Sequence, residues 1–353
     1  MKVESTNLKT AVVILNWNGK KFLEKFLPGV IEHSSPVADI IIADNDSSDD
    51  SIEYLEKNHP QVRIIRLNKN NGFAGGYNLA LKEIKADYYI LLNSDIEVTE
   101  NWISPVIKMM EKDPSVAACQ PKIRSYNEPD RFEYAGAAGG FIDKYGYPFC
   151  QGRLFQSLEK DEGQYDEARE VFWATGACMF VRSDVFHKIG GFDDDFFAHM
   201  EEIDFCWRAK NQGYKVMYIP DSTIFHIGGG TLPKKNSRKT YLNIRNNITM
   251  LYKNLEEDRL IRVIAARQVL DYIAAFKFLI DGGFRDMTAV IKAHFYFWSN
   301  LSKLRKKREK IPHLKVSQIY WGNVVLQHYV HRKKSFLQLD PRKFTGNPGE
   351  SLK

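Results

Sequence analysis

Short, fully apolar runs alternate with amphipathic segments in the first third of the chain. Each run is long enough for a buried strand, and each of the first three is followed by residues with helical spacing. The predicted strands cover residues 10–15, 38–43, 62–67 and 88–92. The predicted helices between them begin near Lys20, at Asp50 and at Tyr77. This alternation predicts an α/β fold with a mostly parallel sheet.

The middle of the chain has a mixed pattern. Further strands are predicted over residues 116–121, 170–181 and 214–219, and a helix over residues 201–212. Residues 126–166 are rich in glycine, aromatic and charged side chains and show little periodicity. Such a segment is typical of an insertion that shapes a substrate cleft.

Long helical patterns dominate from Tyr241 onward, including residues 261–280 and 287–304. We therefore expect two parts, an α/β domain over residues 1–250 and a basic helical extension over residues 251–353. The first helical stretch carries four charged side chains and is too polar to span a bilayer. Because the N-terminus lacks the apolar core of a signal peptide, we expect a cytoplasmic protein.

Composition excludes several classes of protein. Of the 353 residues, 44% are hydrophobic and 27% are charged. These values exclude a disordered chain, a collagen-like repeat and a polytopic membrane protein. The four cysteines include no close pair of the kind that a structural zinc site uses, so we expect reduced thiols.

Charge is divided unequally along the chain. The formal net charge is +6, yet residues 231–353 contain 25 Lys and Arg against 9 Asp and Glu, which leaves residues 1–230 acidic. Two basic runs, 303–308 and 331–334, lie among aromatic-rich helical patterns. A solvated surface explains them, and so does peripheral contact with anionic lipid headgroups at the inner face of the cell membrane. The aromatic residues do not interleave with basic ones as in a nucleic-acid-binding module, so no nucleic acid partner is expected.

Carboxylates follow two of the predicted strands. Asp44 and Asp95 should project from the same edge of the sheet, where open α/β sheets bind ligands. Asp95 and Asn93 offer oxygen ligands that suit Mg²⁺ or Mn²⁺ holding a diphosphate. Capping of helices or turns explains the same carboxylates equally well.

Residues 71–78, Asn-Gly-Phe-Ala-Gly-Gly-Tyr-Asn, open a helix after a predicted strand. Backbone N–H groups at such a position can receive a phosphate or the edge of a nucleotide. The spacing is not that of a dinucleotide-binding fingerprint. A flexible loop with a helix cap explains the glycines just as well.

Glu201 and Glu202 stand together at the start of a predicted helix. Adjacent helical residues point about 100° apart, so one can face a cleft while the other makes a structural contact. A carboxylate beside aromatic walls can act as general base for a hydroxyl. Acidic residues in a first turn are also common companions of the helix dipole. Asp204 and Arg208, four residues apart, predict an ion pair.

His226 ends an apolar stretch and precedes three glycines. Most single histidines of this kind are satisfied core residues. The glycines also permit close approach of a ligand or a closing lid. Contact with a metal or a diphosphate therefore competes with the core interpretation.

Seven short blocks occur in a fixed order that is more specific than any one of them. The blocks cover residues 12–19, 44–49, 71–78, 92–95, 176–179, 196–208 and 226–229. Together they resemble the family-2 glycosyltransferases of the GT-A fold, particularly the rhamnosyltransferase-like bacterial branch. The resemblance covers about residues 9 to 250. It implies a Rossmann-like, mixed but mostly parallel sheet flanked by helices, with a helical C-terminal extension.

The resemblance also implies an activity. A family member of this branch would transfer a sugar, with inversion, from a nucleotide-diphosphate donor such as dTDP-rhamnose or a UDP-sugar. The acceptor would be a hydroxyl of a glycan or lipid-linked glycan in cell-envelope polysaccharide synthesis. The cofactor would be Mg²⁺ or Mn²⁺.

Residue roles follow from the matching blocks. Glu202 would be the catalytic base with Glu201 as its partner, and Asp95, Asn93 and His226 would hold the metal. The substrate-binding residues would be Asn16, Asn18, Asp44, Asn71, Gly72, Phe73, Asn78, Asn93, Trp173 and Gly176. The chain departs from the family pattern at two positions, since an acidic residue often stands in place of Asn93 and an Asp in place of Glu202. Either Glu202 or Glu201 can therefore be the base.

Two other functions share parts of this pattern. A sugar-nucleotide pyrophosphorylase has a related architecture, but it needs a glycine-rich basic loop after the first strand, which residues 16–19 do not supply. A non-catalytic sugar-nucleotide-binding subunit of a polysaccharide assembly complex is the alternative from a different class. The complete set of acidic and histidine positions favours an enzyme.

Overall fold

The computed structural model describes residues 9–228 and 236–346. The strands are β1 (Thr10–Asn16), β2 (Asp39–Asp44), β3 (Arg63–Arg66), β4 (Tyr88–Leu92), β5 (Ile96–Val98), β6 (Val116–Ser125), β7 (Gly140–Asp143), β8 (Pro148–Cys150), β9 (Arg153–Leu154), β10 (Ser157–Leu158), β11 (Arg169–Val171), β12 (Cys178–Arg182), β13 (Lys215–His226) and β14 (Ile319–Tyr320). The helices are α1 (Lys20–Ser34), α2 (Ser51–Asn58), α3 (Gly72–Leu81), α4 (Ser104–Lys112), α5 (Ser183–Ile189), α6 (Glu201–Lys210), α7 (Ser237–Asn254), α8 (Glu257–Ile280), α9 (Phe284–Ser299), α10 (Leu301–Arg308) and α11 (Val324–Tyr329).

A mixed sheet forms the centre of the molecule. Its strand order is β11-β13-β6-β12-β4-β1-β2-β3, and β5 pairs with the outer part of β13. The four strands from β4 to β3 are mutually parallel, whereas β12 is antiparallel to both of its neighbours. Residues that alternate along β1, such as Val12 and Val13, enter separate apolar clusters. Burial on both faces is why these strands are continuously apolar, and it confirms the predicted α/β class.

Helix α3 begins at Gly72, five residues before its predicted start at Tyr77. Gly76 faces β1, where an added Cβ would lie 2.8 Å from a methyl group of Leu15. The small residues therefore let the first turn of the helix approach the sheet closely, which a loop interpretation of residues 71–76 does not anticipate.

The strand expected over residues 170–181 is two separate strands, so that prediction is wrong. β11 ends at Val171 and pairs with β13, whereas β12 begins at Cys178 and pairs with β4 and β6. Between them, the Thr175 N–H donates to Gln120 Oε1 at 3.0 Å. The apolar residues of this connection are buried as a loop, which hydrophobicity alone does not distinguish from a strand.

The region over residues 126–166 contains a small second sheet with the order β10-β9-β8-β7-β14. Its last strand comes from the C-terminal extension and pairs in parallel with β7. The helices predicted in the extension are present, although the pattern at 287–304 is divided at Asn300 into α9 and α10. Residue 250 lies inside α7, and the division of domains at that residue stays a prediction.

The two oppositely charged parts of the chain contact each other. Lys307 of α10 pairs with Asp193 and Asp195, and Lys303 pairs with Asp195. Arg308 pairs with Glu257. Lys307 and Arg308 of the basic run at 303–308 are therefore bound within the protein, whereas Lys303 and Arg305 are exposed. No helix in the described ranges is long and apolar enough to cross a membrane.

Candidate functional site

Strand pairing brings Asp95 and His226 together. The first residue of β5, Ile96, is opposite His226 at the end of β13. The side chains of Asp95 and His226 are buried, and His226 Nε2 lies 3.1 Å from Asp95 Oδ1. Two residues 131 positions apart in sequence thus meet at the strand edge.

Glu133 lies on the other side of the same imidazole. Its Oε2 is 3.2 Å from His226 Nδ1, and it too is buried. Burial lowers the pKa of His226, but the two carboxylates outweigh this effect and raise that pKa to about 10. Gly228 passes close to Glu133 with φ +72°, and an added Cβ would lie 2.6 Å from Glu133 Oε1. The sequence pattern gave no signal for Glu133, because it falls in the segment without periodicity.

The Asp95–His226 pair fits a divalent cation. Two adjacent ligands of an octahedral ion are about 3 Å apart when each bond is about 2.1 Å, which matches the separation of Asp95 Oδ1 and His226 Nε2. Glu133 would then orient the imidazole from its second nitrogen, as carboxylates commonly do for metal-bound histidine. Within residues 9–228 and 236–346, no group of three acidic, histidine or cysteine side chains could hold a metal. The pair would therefore leave most coordination positions to a diphosphate and water.

The backbone of Asn93, and not its side chain, makes the contact that fixes this residue. Its N–H donates to Ala177 O at 2.9 Å, and its side-chain amide makes no hydrogen bond to any residue that the structure describes. This contact ties the strand end that precedes Asp95 to the connection between β11 and β12. Gly176 in that connection lies beside Glu202, since an added Cβ would be 3.8 Å from the Glu202 Cβ and 3.0 Å from Phe73 Cζ.

Glu201 and Glu202 form the first turn of α6. Burial, together with the nearby charge of Glu202, raises the pKa of Glu201 well above its ordinary value. Burial likewise raises the pKa of Glu202, to about 7. Among the described residues, Oε2 of each carboxyl group is buried without a hydrogen-bond partner. Such unpaired acceptors are costly, and they are commonly found where a ligand binds.

The loop before α6 is strained. Phe197, His199 and Met200 all have positive φ, at 62°, 71° and 71°. The loop is held by α7, where Asn246 donates to the carbonyl groups of Phe196, Ala198 and His199. Strain of this kind is maintained only when the surroundings fix it, and it is concentrated at functional sites.

The same loop occupies the start of α3. The Phe197 carbonyl accepts hydrogen bonds from the N–H groups of Phe73, at 2.6 Å, and Ala74, at 3.2 Å. Gly72 has φ +70°, and a Cβ there would collide with Phe197. The N–H of Gly72 is also taken, by Asn70 Oδ1 at 2.8 Å. In this conformation these N–H groups are not free to bind a phosphate, contrary to the first interpretation of residues 71–78.

Asp44 and Asn16 lie side by side at the ends of β2 and β1. Asp44 accepts hydrogen bonds from the Asn16 amide and from the Ser47 N–H, both at 3.1 Å. Asn16 Oδ1 is buried and has no partner among the described residues. Asn18 Oδ1 accepts from the Ser48 N–H at 2.7 Å and so fixes the loop after β2. These residues form one polar edge with a free acceptor.

Three other predicted substrate-binding residues have structural contacts. Asn78 exchanges hydrogen bonds with both the carbonyl and the N–H of Phe192, at 2.8 and 2.9 Å. The ring of Trp173 is buried against Gly140, and its N–H donates to Phe141 O at 2.9 Å. The side chain of Asn71 donates to the Lys69 carbonyl at 2.7 Å. The structure thus brings Asn16, Asp44, Asn93, Asp95 and His226 to the ends of strands, places Glu202 on α6 beside Gly176, and places Trp173 in the core.

A buried ionic network supports α6 from behind. Asp204 is fully buried and accepts from Arg208 at 2.8 Å, from Lys253 at 3.0 Å and from Asn254 at 2.9 Å. The predicted Asp204–Arg208 pair is confirmed. Lys253 also pairs with Asp193, although sequence spacing could not indicate that a residue of α7 completes the network.

Comparison with known proteins agrees with this geometry. A family model described as glycosyl transferase family 2 matches residues 11–190. The N-acetylglucosaminyl-diphospho-decaprenol L-rhamnosyltransferase of Mycobacterium tuberculosis is 25% identical over 233 residues, which cover 61% of this chain and 75% of that protein. The dTDP-rhamnosyl transferase RfbF of Shigella flexneri is 24% identical over 235 residues, which cover 61% and 71% of the two chains.

A solved structure shows the same fold. The crystal structure of GalNAc-T7 with UDP, GalNAc and Mn²⁺ aligns with a TM-score of 0.57 and 19% identity, over 72% of this chain and 49% of that chain. This chain thus corresponds to about half of that structure, and the likeness concerns the fold alone. The mixed sheet flanked by helices is the GT-A architecture expected from the sequence. The chain belongs to glycosyl transferase family 2 and is a glycosyltransferase with the GT-A fold.

Proposed function

We propose that the protein transfers rhamnose, with inversion, from dTDP-rhamnose to a hydroxyl of a lipid-linked glycan acceptor during cell-envelope polysaccharide synthesis. The observation that carries this proposal is the Asp95–His226 pair, joined through Asn93, Ala177 and Gly176 to a Glu202 carboxylate with an unpaired oxygen. The names of the two relatives support rhamnose as the donor sugar. The name of the first supports a lipid-linked acceptor.

The donor nucleotide would bind at the edge formed by β1 and β2. The unpaired Asn16 Oδ1 and the Asp44 carboxylate offer acceptors for the N–H groups of a pyrimidine base. Asn18 fixes the loop beside them. Phe73 and Gly176 lie beside Glu202, and the sugar would be placed next to them.

A divalent cation would be held by Asp95 and His226, and the free amide of Asn93 would bind a phosphate oxygen or a water ligand. We propose Mn²⁺ over Mg²⁺, because an imidazole nitrogen suits transition metals better than it suits Mg²⁺. When bound, the cation supplies positive charge that stabilises the departing nucleoside diphosphate. Glu133 Oε2, 3.2 Å from His226 Nδ1, would orient the imidazole so that Nε2 faces the cation.

Glu202 would act as the general base. As the acceptor oxygen bonds to the anomeric carbon, the bond from that carbon to the diphosphate oxygen breaks, and the hydroxyl proton passes to a Glu202 carboxylate oxygen. One displacement at the anomeric carbon inverts its configuration. A pKa of about 7 makes Glu202 a stronger base than an ordinary carboxylate and leaves it largely ionised slightly above neutral pH.

The proposal is tested by incubating the purified protein with dTDP-rhamnose, MnCl₂ and a short-chain prenyl-diphospho-N-acetylglucosamine. We expect a product that is heavier by one deoxyhexose and has inverted anomeric configuration by NMR, and we expect EDTA to abolish its formation. A retained configuration would contradict the mechanism. Donor binding without any transfer would instead support the non-catalytic subunit.

A further inference from the structure

Helix α8 exposes an apolar stripe. Ile261, Val269, Ile273, Phe276 and Ile280 recur at the spacing of one helical face, and all five are exposed. The exposed fraction is 81% for Ile261 and 64% for Phe276. The opposite face of the helix is buried against the rest of the protein, so this stripe is additional to its packing face.

Helix α9 has a stripe of the same kind. Phe284, Ile291, Phe295 and Trp298 follow the same helical spacing and are exposed, with Phe295 at 74%. The two helices pack against each other and are joined by the short turn at residues 281–283. We name these two stripes, which lie on adjacent packed helices, the α8–α9 face. Large exposed apolar side chains grouped in this way mark an interaction site.

Basic side chains lie on the same two helices. Arg262, Lys277, Arg285 and Lys292 are exposed. Lys277 pairs with Asp281 at 2.5 Å, whereas Arg285 and Lys292 form no ion pair with any described residue. The face therefore combines aliphatic and aromatic groups with unneutralised positive charge. This is the composition of helices that lie in the interface of an anionic bilayer.

A second copy of the chain fits this face less well. A twofold contact would place the same patch against itself, so Arg285 and Lys292 would meet like charges. An anionic lipid surface instead compensates each basic side chain and also accepts the exposed rings of Phe276, Phe295 and Trp298. Charge complementarity thus favours a membrane as the occupant.

The α8–α9 face is structurally connected to the candidate active site. Arg245 of α7 lies 5.1 Å from the ring of Tyr296 on α9 and donates to the carbonyl groups of Asp195 and Phe196, in the loop that leads to Glu201. Near the start of α7, Thr240 donates to Asp286 of α9 at 2.6 Å. One helix therefore separates the face from the loop that carries the catalytic turn.

We propose that the α8–α9 face docks on the surface of an anionic bilayer and thereby holds the active site beside its acceptor. The inference rests on the proposed function for the presence of a lipid-linked acceptor at that surface, but the surface itself is defined by α8 and α9. It takes the place of the basic run 303–308 as the expected membrane contact, since Lys307 and Arg308 are paired within the protein.

Flotation of the full chain with vesicles tests the inference. The probe is a vesicle of equal parts phosphatidylglycerol and phosphatidylcholine, compared with phosphatidylcholine alone. We expect the wild-type protein to float with the anionic vesicles. The double variant Phe276→Glu/Phe295→Glu should lose about tenfold or more in partitioning, and Arg285→Glu/Lys292→Glu should lose binding at low salt.

Matched controls distinguish the face from other exposed residues. Val330→Glu/Leu337→Glu changes two equally exposed apolar residues outside the face, and Lys57→Glu/Lys108→Glu changes two exposed lysines elsewhere. Both should float like the wild type, and all variants should retain their circular dichroism spectra. The inference is overturned if the wild-type protein does not float. It is also overturned if the control variants reduce flotation and the variants on the α8–α9 face do not.

Two further measurements keep this inference separate from the proposed function. Sedimentation velocity reports a second copy, and a wild-type dimer that Phe276→Glu/Phe295→Glu dissociates, without vesicle binding, would overturn the inference. The same variant should transfer sugar to a water-soluble acceptor at the wild-type rate and lose transfer to a vesicle-embedded acceptor. Glu202→Gln should float like the wild type but lose transfer to both acceptors, so flotation tests the docking surface independently of the chemistry.

Discussion

Glu201 and Glu202 are adjacent in sequence, but their carboxyl groups have different surroundings. Burial, together with the nearby negative charges of Glu202 and Asp204, raises the pKa of Glu201 well above its ordinary value. Glu202 lies beside Gly176, and burial raises its pKa to about 7. This difference supports the proposal that Glu202, and not Glu201, accepts the proton of a bound hydroxyl.

The pH dependence of transfer should follow Glu202. Burial raises its pKa to about 7, so the fraction of active carboxylate falls as the pH decreases through 7. We expect kcat/KM to rise about tenfold per pH unit below 7 and to level off above 7. A pH–rate profile at fixed metal concentration measures this. The range from roughly pH 5.5 to about 8 brackets this pKa, so a flat profile over that range would exclude Glu202 as the base.

Glu133→Gln should weaken metal binding without unfolding the protein. The variant keeps the volume of the side chain but removes the carboxylate that faces His226 Nδ1, so the imidazole loses its oriented partner. Loss of such a partner typically costs about 10- to 100-fold in metal affinity. Electron paramagnetic resonance titration of Mn²⁺ in the presence of dTDP measures the affinity directly. Glu128→Gln, at an exposed position, is the control, and equal affinities in the two variants would refute this role.

Helix α6 depends on α7 for its position. Lys253 is buried and pairs with both Asp193 and Asp204, while Asn246 holds the strained loop in front of the catalytic turn. Burial would raise the pKa of Asp193, but Lys253 and Lys307 hold that pKa well below its ordinary value. The start of α6 is thus fixed by a helix that crosses residue 250, the boundary expected between the α/β domain and the basic extension.

Lys253→Met should destabilise the fold by about 3 kcal/mol, because it leaves two buried carboxylates short of a partner. Lys303→Met removes an exposed pair with Asp195 and should cost less than about 1 kcal/mol. Urea unfolding of both variants compares the two costs. Similar midpoints for Lys253→Met and wild type would show that the network contributes little.

Periodicity predicted the strands and helices that have a regular apolar pattern. It did not predict the contacts between residues that are distant in sequence. The buried strands before Asp44 and Asp95 were predictable because both of their faces are apolar. Glu133 was not, since no regular pattern surrounds it and its partner, His226, lies 93 residues away. The Phe197 carbonyl, which occupies the start of α3, was equally unpredictable because it depends on a positive φ that no residue type signals.

The whole molecule joins an acidic catalytic part to a basic extension. The net charge of +6 conceals this division, and the ion pairs of Lys303 and Lys307 with Asp193 and Asp195 show that the opposite charges bind each other. The exposed stripes on α8 and α9 were not separable from ordinary core positions by sequence alone, because an apolar face is usually buried. The fold therefore determines which part of the extension is exposed, and the α8–α9 face is the part that we propose docks on a membrane.

The rate of rhamnosyl transfer by Glu202→Gln at saturating donor tests the proposed mechanism most directly. The amide keeps the shape of the side chain but cannot accept the acceptor proton. We predict a fall in kcat of about 10²- to 10⁴-fold, with the dissociation constant for dTDP-rhamnose and Mn²⁺ unchanged by calorimetry. Glu53→Gln, at an exposed position on α2, should match the wild type in both measurements. Near-normal kcat in Glu202→Gln would contradict the assignment of the base.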